Sequence, residues 1–309
     1  MFEKKNSLLL LVGISFVFIV TTALSLNRQG LSDGLVIRGA GSKDFPPVPI
    51  FSKQSPFPVL SAQAALAVDL GSQVSLYEKD PDKSLLPAST TKILTALVVL
   101  DYFSEEDVLT VGKVEVEGQK MGLRTGEKIR AGDLLYGLLV YSANDAAEVL
   151  AQNYPGGRTA FVAAMNVKAG SLHLEHSFFT NPTGLDNHGD RVVTSARDLV
   201  RVAQAAMLNS RFAEMVRTKE ITVTSADGKI AHRLTNINEL VGKVPGVLGI
   251  KTGWTESARE NLLTYVERDG HPVIIALLGS QDRFGETKEL INWLFANYSW
   301  QAVQVPYSP

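Results

Sequence analysis

Strand-forming patterns in this chain sit at the two ends of one long stretch, and every helical pattern lies between them. Ala62–Leu70 and Gln73–Glu78 read as two short strands joined by a turn at Gly71-Ser72. Far downstream, Val247–Lys251 reads as a strand, and Asn261–Glu267 and Pro272–Gly279 flank Asp269-Gly270. Asp-Gly between two apolar runs is the strongest short-range hairpin signal, because both residues tolerate positive φ. The order predicts an α/β fold in which a helical region is inserted into a mainly antiparallel sheet.

The intervening helices are legible from periodicity. Pro87 precedes a helix predicted over Ser89–Phe103, whose Ile93, Leu94, Leu97, Val98 and Leu100 cover most of its circumference. A helix apolar all round is a buried one. Asp133–Val140 and Asp145–Gln152 are predicted helices separated by Tyr141-Ser142-Ala143-Asn144, and Thr159–Ala169 is a further one. Ser195 with Asp198 forms a capping-box variant that opens a helix to about Leu208, and Phe284–Tyr298 closes the domain. The charged run Glu214–Glu220 reads as a solvated helix face, and Trp293, Phe295 and Trp300 as packing for the last helix.

Residues 7–26 are 20 uncharged, mostly apolar residues. As a helix they span about 30 Å, the thickness of a bilayer core, and Lys4 and Lys5 before them place the N-terminus in the cytoplasm. We expect a single-pass cell-membrane anchor with the main part of the chain outside. The competing expectation is a signal peptide cut near Ala23-Leu24-Ser25, which would leave a secreted protein. Residues 27–60, rich in Gly and then Pro, are expected to be a flexible linker, residues 61–300 the folded domain and 301–309 a tail. Thirty basic against 32 acidic residues gives no support to a nucleic-acid partner, and the absence of cysteine excludes disulfides, thiolate metal sites and thiol nucleophiles.

Three short segments carry possible chemistry. Ser89-Thr90-Thr91-Lys92 opens the buried helix, where positions i and i+3 share a face and the Lys92 amine reaches the Ser89 hydroxyl. Serine needs a base, and a lysine amine becomes one near neutral pH when burial lowers its pKa from about 10.4 to about 7–8. Ser142-Ala143-Asn144 lies in a break between helices, and Lys251-Thr252-Gly253 ends a strand beside the hairpin. Ser142 is placed to relay a proton to a leaving amine and Asn144 to bond a substrate amide. Lys251 adds positive charge, Thr252 offers a hydroxyl to a carboxylate, and Gly253 removes a Cβ where substrate lies along the strand.

Ser-x-x-Lys, Ser-x-Asn and Lys-Thr-Gly in that order form the set seen in penicillin-binding proteins and class A β-lactamases. With Pro87-Ala88 before the first motif, Asp145-Ala146 after the second, Asn181-Pro182-Thr183-Gly184-Leu185-Asp186, and Gly249-Ile250 and Trp254-Thr255 flanking the third, residues 61–298 resemble the D-alanyl-D-alanine carboxypeptidase family of low-molecular-mass penicillin-binding proteins. The resemblance implies an antiparallel sheet flanked by helices beside an all-helical subdomain. It implies an acyl-serine mechanism on peptidoglycan stem peptides ending in D-Ala-D-Ala, acylation by β-lactam antibiotics, and no cofactor. By position Ser89 would be the nucleophile and Lys92 the base, with Ser142 and Asn144 in the catalytic set. Lys251, Thr252, Gly253 and Trp254 would bind substrate, and the backbone N–H groups of Ser89 and Trp254 would form the oxyanion hole.

Two departures stand out. Ala258-Arg259 replaces the Ala-Gly pair common in the family, so Arg259 is expected either to crowd the strand or to offer the substrate carboxylate a second contact. With eleven residues after Tyr298, neither the C-terminal β-rich domain nor the amphipathic anchor of many members is expected. Of the remaining candidates, His173-x-x-His176 lacks an identifiable third metal ligand, and Asp186 and His188 read as turn residues. A β-lactamase would need a Glu-x-x-x-Asn after the second motif, whereas Glu175 is followed four residues on by Phe179. A catalytically silent peptidoglycan-binding module would have no need of a nucleophile and base.

Overall fold

The computed structural model describes residues 46–52, 55–186 and 191–302. The apolar stretch 7–26, the residues expected to link it as far as 45, His188 and most of the expected tail lie outside them. In chain order the strands are β1 (Val48–Phe51), β2 (Ala64–Asp69), β3 (Ser75–Lys79), β4 (Val108–Thr110), β5 (Lys128–Arg130), β6 (Glu220–Thr224), β7 (Ala231–Thr235), β8 (Val247–Thr255), β9 (Arg259–Arg268), β10 (His271–Ser280) and β11 (Tyr298–Gln301). The helices are α1 (Lys92–Tyr102), α2 (Ala131–Leu139), α3 (Asn144–Asn153), α4 (Gly157–Ser171), α5 (Ala196–Met207), α6 (Ser210–Arg217) and α7 (Arg283–Asn297).

Both ends of the domain meet in one antiparallel sheet of order β3-β2-β10-β9-β8. Asp269 and Gly270 both have positive φ, as the two-residue turn between β9 and β10 requires. Alternation sorts the apolar residues onto two faces. Leu66, Val68, Ile274 and Ala276 join the core beneath α1–α5, whereas Ala65, Ala67, Ile275 and Leu277 pack with Leu290, Ile291 and Leu294 of α7. The interior strand β2 is therefore buried along its whole length. α1 is buried from Lys92 through Val99, in line with its all-round apolar surface.

Ser195 caps α5 by accepting from the Asp198 N–H, but the Asp198 carboxylate turns away to accept from the His176 N–H and Ser177 Oγ. Only half of the capping box forms, because the acid is taken up by the neighbouring loop at His176 and Ser177.

Several elements differ from the sequence expectation. The segment expected to be linker contains β1, which pairs with β11 through Val48–Gln301 and Phe51–Tyr298. Pro49 is tolerated there because a two-stranded ribbon leaves one side of each strand without ladder partners. Phe51 then joins Phe57, Trp293 and Tyr298 in one aromatic cluster with ring centroids 4.8–6.1 Å apart. The charged run Glu214–Glu220 is helical only to Arg217 and then enters the β6–β7 ribbon. The inserted helical region also carries the short β4–β5 ribbon.

Candidate active site

The site forms where β8, the start of α1 and the start of α3 converge. The sequence predicts a helix from Ser89, but Ala88–Thr91 forms a 3-10 turn and the α-helix starts at Lys92. Thr90 tightens this turn by donating from both N and Oγ1 to the Pro87 carbonyl. In a 3-10 turn side chains three apart eclipse, which brings Lys92 directly over Ser89. Ala88 holds φ at +48°, a strained value for a residue with a Cβ.

Lys92 is fully buried, and its Nζ lies 2.9 Å from Ser89 Oγ, 2.6 Å from Asn144 Oδ1 and 2.8 Å from the Thr183 carbonyl. Asn144 Nδ2 donates to the Glu117 carbonyl at 2.7 Å, which fixes the orientation of the amide. Asn144 Oδ1 and Thr183 O can only accept. A neutral Lys92 thus spends both N–H groups on them and aims its lone pair at the serine hydroxyl. Burial pushes the Lys92 amine down to about 7, against the opposing pull of the Glu148 and Asp145 carboxylates. Local geometry and charge state together suit a base acting near neutral pH.

A second lysine–serine pair faces the first. Lys251 on β8 is buried, and its Nζ donates to Ser142 Oγ at 2.7 Å and to the Thr252 carbonyl at 3.0 Å. Burial first, then the nearby Lys92 and Arg283 charges, hold this amine well below the ordinary lysine range. Ser142 has φ of +63°, so the break between α2 and α3 is a sharp turn that lifts its hydroxyl toward β8.

All eight residues singled out in the sequence come together here. Ser89, Ser142, Asn144, Thr252, Gly253 and Trp254 line one cleft of about 680 Å3, with Lys92 and Lys251 directly beneath. Trp254 is 62% exposed at the rim. Gly253 is required for a different contact from the one expected. A Cβ on it would meet the Pro87 carbonyl at 2.8 Å and the Ser89 amide at 3.1 Å, so the glycine lets β8 close onto the serine-bearing turn.

Three contributors escaped the sequence reading of the site. Thr183 supplies the carbonyl for Lys92 because Asn181 Oδ1 gathers the Thr183 and Gly184 amides into a turn. Gly184 is forced there, since a Cβ would clash with the Ala88 carbonyl. The Asn-x-Thr-Gly pattern is a turn signal that could have found this. Asp186, expected to serve only the turn, lines the cleft and accepts from Thr255 Oγ1 at 3.3 Å. Arg283, at the start of α7, also lines the cleft and donates to the Gly253 carbonyl at 3.0 Å. No local signal marks Arg283, because it reaches the cleft only once β10 has paired with β9.

Other candidates fall outside the cleft. Arg259 is exposed at the first position of β9 with φ of +57°, where the glycine of the family pattern would be unstrained. Glu175 is exposed and does not line the cleft. Among the described residues no group of three His, Cys, Asp or Glu side chains could hold a metal ion.

A half-exposed serine, a buried lysine amine lowered to about 7, a second lysine-held hydroxyl and the Arg283 guanidinium beside an edge strand suit serine acyl-transfer chemistry. The comparisons then narrow the class. The profile of the peptidase S11 family, D-alanyl-D-alanine carboxypeptidase, matches residues 51–282, and the chain belongs to that family. It is 34% identical over 249 residues to the D-alanyl-D-alanine carboxypeptidase DacB2 of Mycobacterium tuberculosis, covering 78% of this chain and 84% of the relative. It is likewise 34% identical to a D-alanyl-D-alanine endopeptidase of Pseudomonas aeruginosa, covering 76% and 77%. The crystal structure of the Streptomyces K15 DD-transpeptidase superposes with a TM-score of 0.73 at 31% identity, over 78% of this chain and 100% of that one. The chain is therefore a serine-type D-Ala-D-Ala carboxypeptidase by family, with the β-lactamase/DD-peptidase-like fold.

Proposed function

We propose that Ser89 is the nucleophile that removes the terminal D-alanine from peptidoglycan stem peptides and is acylated by β-lactam antibiotics. Neutral Lys92 takes the Ser89 proton as Oγ attacks the carbonyl of the penultimate D-Ala. The backbone N–H groups of Ser89 and Trp254 receive the developing oxyanion. Ser142, held by Lys251, relays the proton that Lys92 took from Ser89 to the departing D-Ala amine, so that Lys92 is neutral again and Ser142 regains its own proton. Water then attacks the acyl-serine with Lys92 again as base, releasing the shortened peptide. Thr252, Lys251 and Arg283 receive the terminal carboxylate, and Asn144 keeps one N–H for a substrate amide while it orients Lys92.

The observation that carries this reading is the three-way contact of Lys92, whose two obligate acceptors direct its lone pair at Ser89 Oγ. A fluorescent penicillin tests it. Wild-type protein should label covalently and Ser89→Ala should not, whereas label retained in the variant would assign the nucleophile elsewhere. The exposed position of Glu175 weighs against rapid β-lactam hydrolysis through that carboxylate.

The place of action in this proposal is the outer face of the cell membrane, with residues 7–26 as the anchor. The support is the length and flanking charge of that stretch alone. Among the described residues no helix is long and apolar enough to cross a membrane.

A further inference from the structure

The loop that wraps the start of α3 is held from behind by a buried histidine. Residues 111–127, between β4 and β5, carry no helix or strand of their own. Glu117, Gly118 and Gln119 of this loop line the catalytic cleft. The Glu117 and Gln119 carbonyls accept from Asn144 Nδ2 and from the Asn144 backbone N–H, both at 2.7 Å. The loop is then pinned on both sides of Met121. The Met121 N–H donates to Asp145 Oδ1 at 3.0 Å, and the Gly122 and Leu123 N–H groups donate to Oδ2 at 2.9 and 3.1 Å. The Met121 carbonyl lies 3.1 Å from Nδ1 of His232 on β7, and His232 Nε2 lies 2.7 Å from Glu127 Oε1. His232 and Glu127 are both buried, and neither lines the catalytic cleft.

The partners decide where the protons of this pair lie. A carbonyl oxygen only accepts, so the contact with Met121 puts a proton on Nδ1. Two lone pairs facing each other at 2.7 Å would repel, so a second proton lies between Nε2 and Glu127 Oε1. Glu127 Oε2 accepts from the Arg124 N–H at 3.0 Å, which fixes the carboxylate and through it the ring.

The grip of this loop on Asn144 bears on the base, because the Asn144 amide has a wrong way round. Turned over, it would present Nδ2 to Lys92 and claim the lone pair that otherwise points at Ser89. The turned amide would also set Oδ1 against the Glu117 carbonyl, acceptor against acceptor. The Glu117 carbonyl therefore selects the productive orientation only while the loop keeps it in place. Gly118 and Gly122, with φ of +74° and +85°, lend the loop little stiffness of its own.

We propose that His232 is a positioning residue for the acylation of Ser89: its Nδ1–H holds the Met121 carbonyl, the held loop orients Asn144, and Asn144 orients Lys92. The inference rests on the carboxypeptidase reading above, in which Lys92 is the base. His232 touches neither substrate nor the reacting atoms, and Glu127 acts one step further back by fixing the ring.

The test uses the full chain and a fluorescent penicillin, whose saturation kinetics separate a binding constant from a maximal acylation rate. Asparagine puts its amide nitrogen where histidine has Nδ1, and glutamine puts it where histidine has Nε2. His232→Asn retains the Met121 contact and should keep the maximal rate within about threefold of wild type. His232→Gln retains only the Glu127 contact and should lower that rate about tenfold, less than the ~100-fold of a 1 Å displacement at the reacting atom itself. Its binding constant and final label stoichiometry should stay those of wild type. Each variant gives up one contact in the same buried place, so a merely structural role would not separate their rates. Equal maximal rates in the two variants, whether high or low, would overturn the proposal. The ring 15N spectrum of wild-type protein depends on neither variant folding. A proton on His232 Nδ1 is expected there, and a bare Nδ1 would overturn the proposal. Wild-type protein that takes no label would instead overturn the carboxypeptidase reading beneath it.

Discussion

Gly253 and Pro87 approach so closely that a Cβ on the glycine would lie 2.8 Å from the proline carbonyl oxygen. The contact seals β8 against the 3-10 turn that carries Ser89, and the atoms a Cβ would meet are all backbone, with no flexible side chain to give way. Gly253→Ala must therefore shift either the strand or the serine. A displacement of about 1 Å at a reacting atom can cost about 100-fold. We expect kcat/KM on a D-Ala-D-Ala peptide to fall by at least that order with the fold retained by circular dichroism. Unchanged turnover would show that the turn can yield.

In the proposed mechanism the buried amine of Lys92, pushed down to about 7, sets the acid limb of activity. The rate constant for penicillin acylation should rise with pH and level off above an apparent pKa of about 7, since only neutral Lys92 can accept the Ser89 proton. Stopped-flow acylation between about pH 5 and 9 measures this. A profile flat through that range would remove Lys92 from the role of base.

The same depressed pKa has a stability consequence. Between about 7 and the unfolded value of about 10.4, the unfolded chain binds a proton at Lys92 that the folded chain does not. Unfolding is thus opposed more strongly as pH rises through that window, and the penalty is greatest below about 7, where it has saturated. Denaturant unfolding of wild type and Lys92→Met should diverge in wild type's favour by about 2–3 kcal/mol between about pH 7.5 and 9.5. Parallel curves would mean that the amine stays protonated in the fold.

Thr252 lies in the cleft beside Lys251 and is almost wholly buried. Thr252→Val keeps its shape and removes the hydroxyl. We expect kcat/KM on a D-Ala-D-Ala peptide to fall about 10–100-fold, one charge-assisted hydrogen bond of roughly 1.5–3 kcal/mol. A thioester whose carboxylate is amidated should be far less affected. Equal losses on both substrates would assign Thr252 to the chemistry or to holding Lys251.

Phe51 tests the strand that the sequence reading placed in a linker. Its ring lies 5.2–5.7 Å from those of Phe57, Trp293 and Tyr298. Phe51→Ala should lower stability by about 2–3 kcal/mol, less than a fully buried aromatic because Phe51 remains partly exposed. A loss below about 0.5 kcal/mol, the size of a surface substitution, would show that β1 contributes little to the folded domain.

Sequence alone determined those features that neighbouring residues encode together. Alternation and the Asp269-Gly270 turn specified the β9–β10 hairpin, the all-round apolar surface of 89–103 specified a buried helix, and the spacing of Ser89 and Lys92 specified their contact. The three motifs also marked which distant segments had to meet, because each carries side chains that have little use in isolation. Tertiary structure decided what those side chains face. Lys92 acquires its orientation from Asn144 and Thr183, Gly253 its purpose from Pro87, and the cleft its Arg283 and Asp186, from segments tens of residues or more away along the chain. The β1–β11 ribbon joins residues at opposite ends of the domain in the same way. Local pattern fixes which face of an element is buried and where the chain turns. The partner that covers that face depends on how all the elements pack at once, and no short window of sequence contains that information.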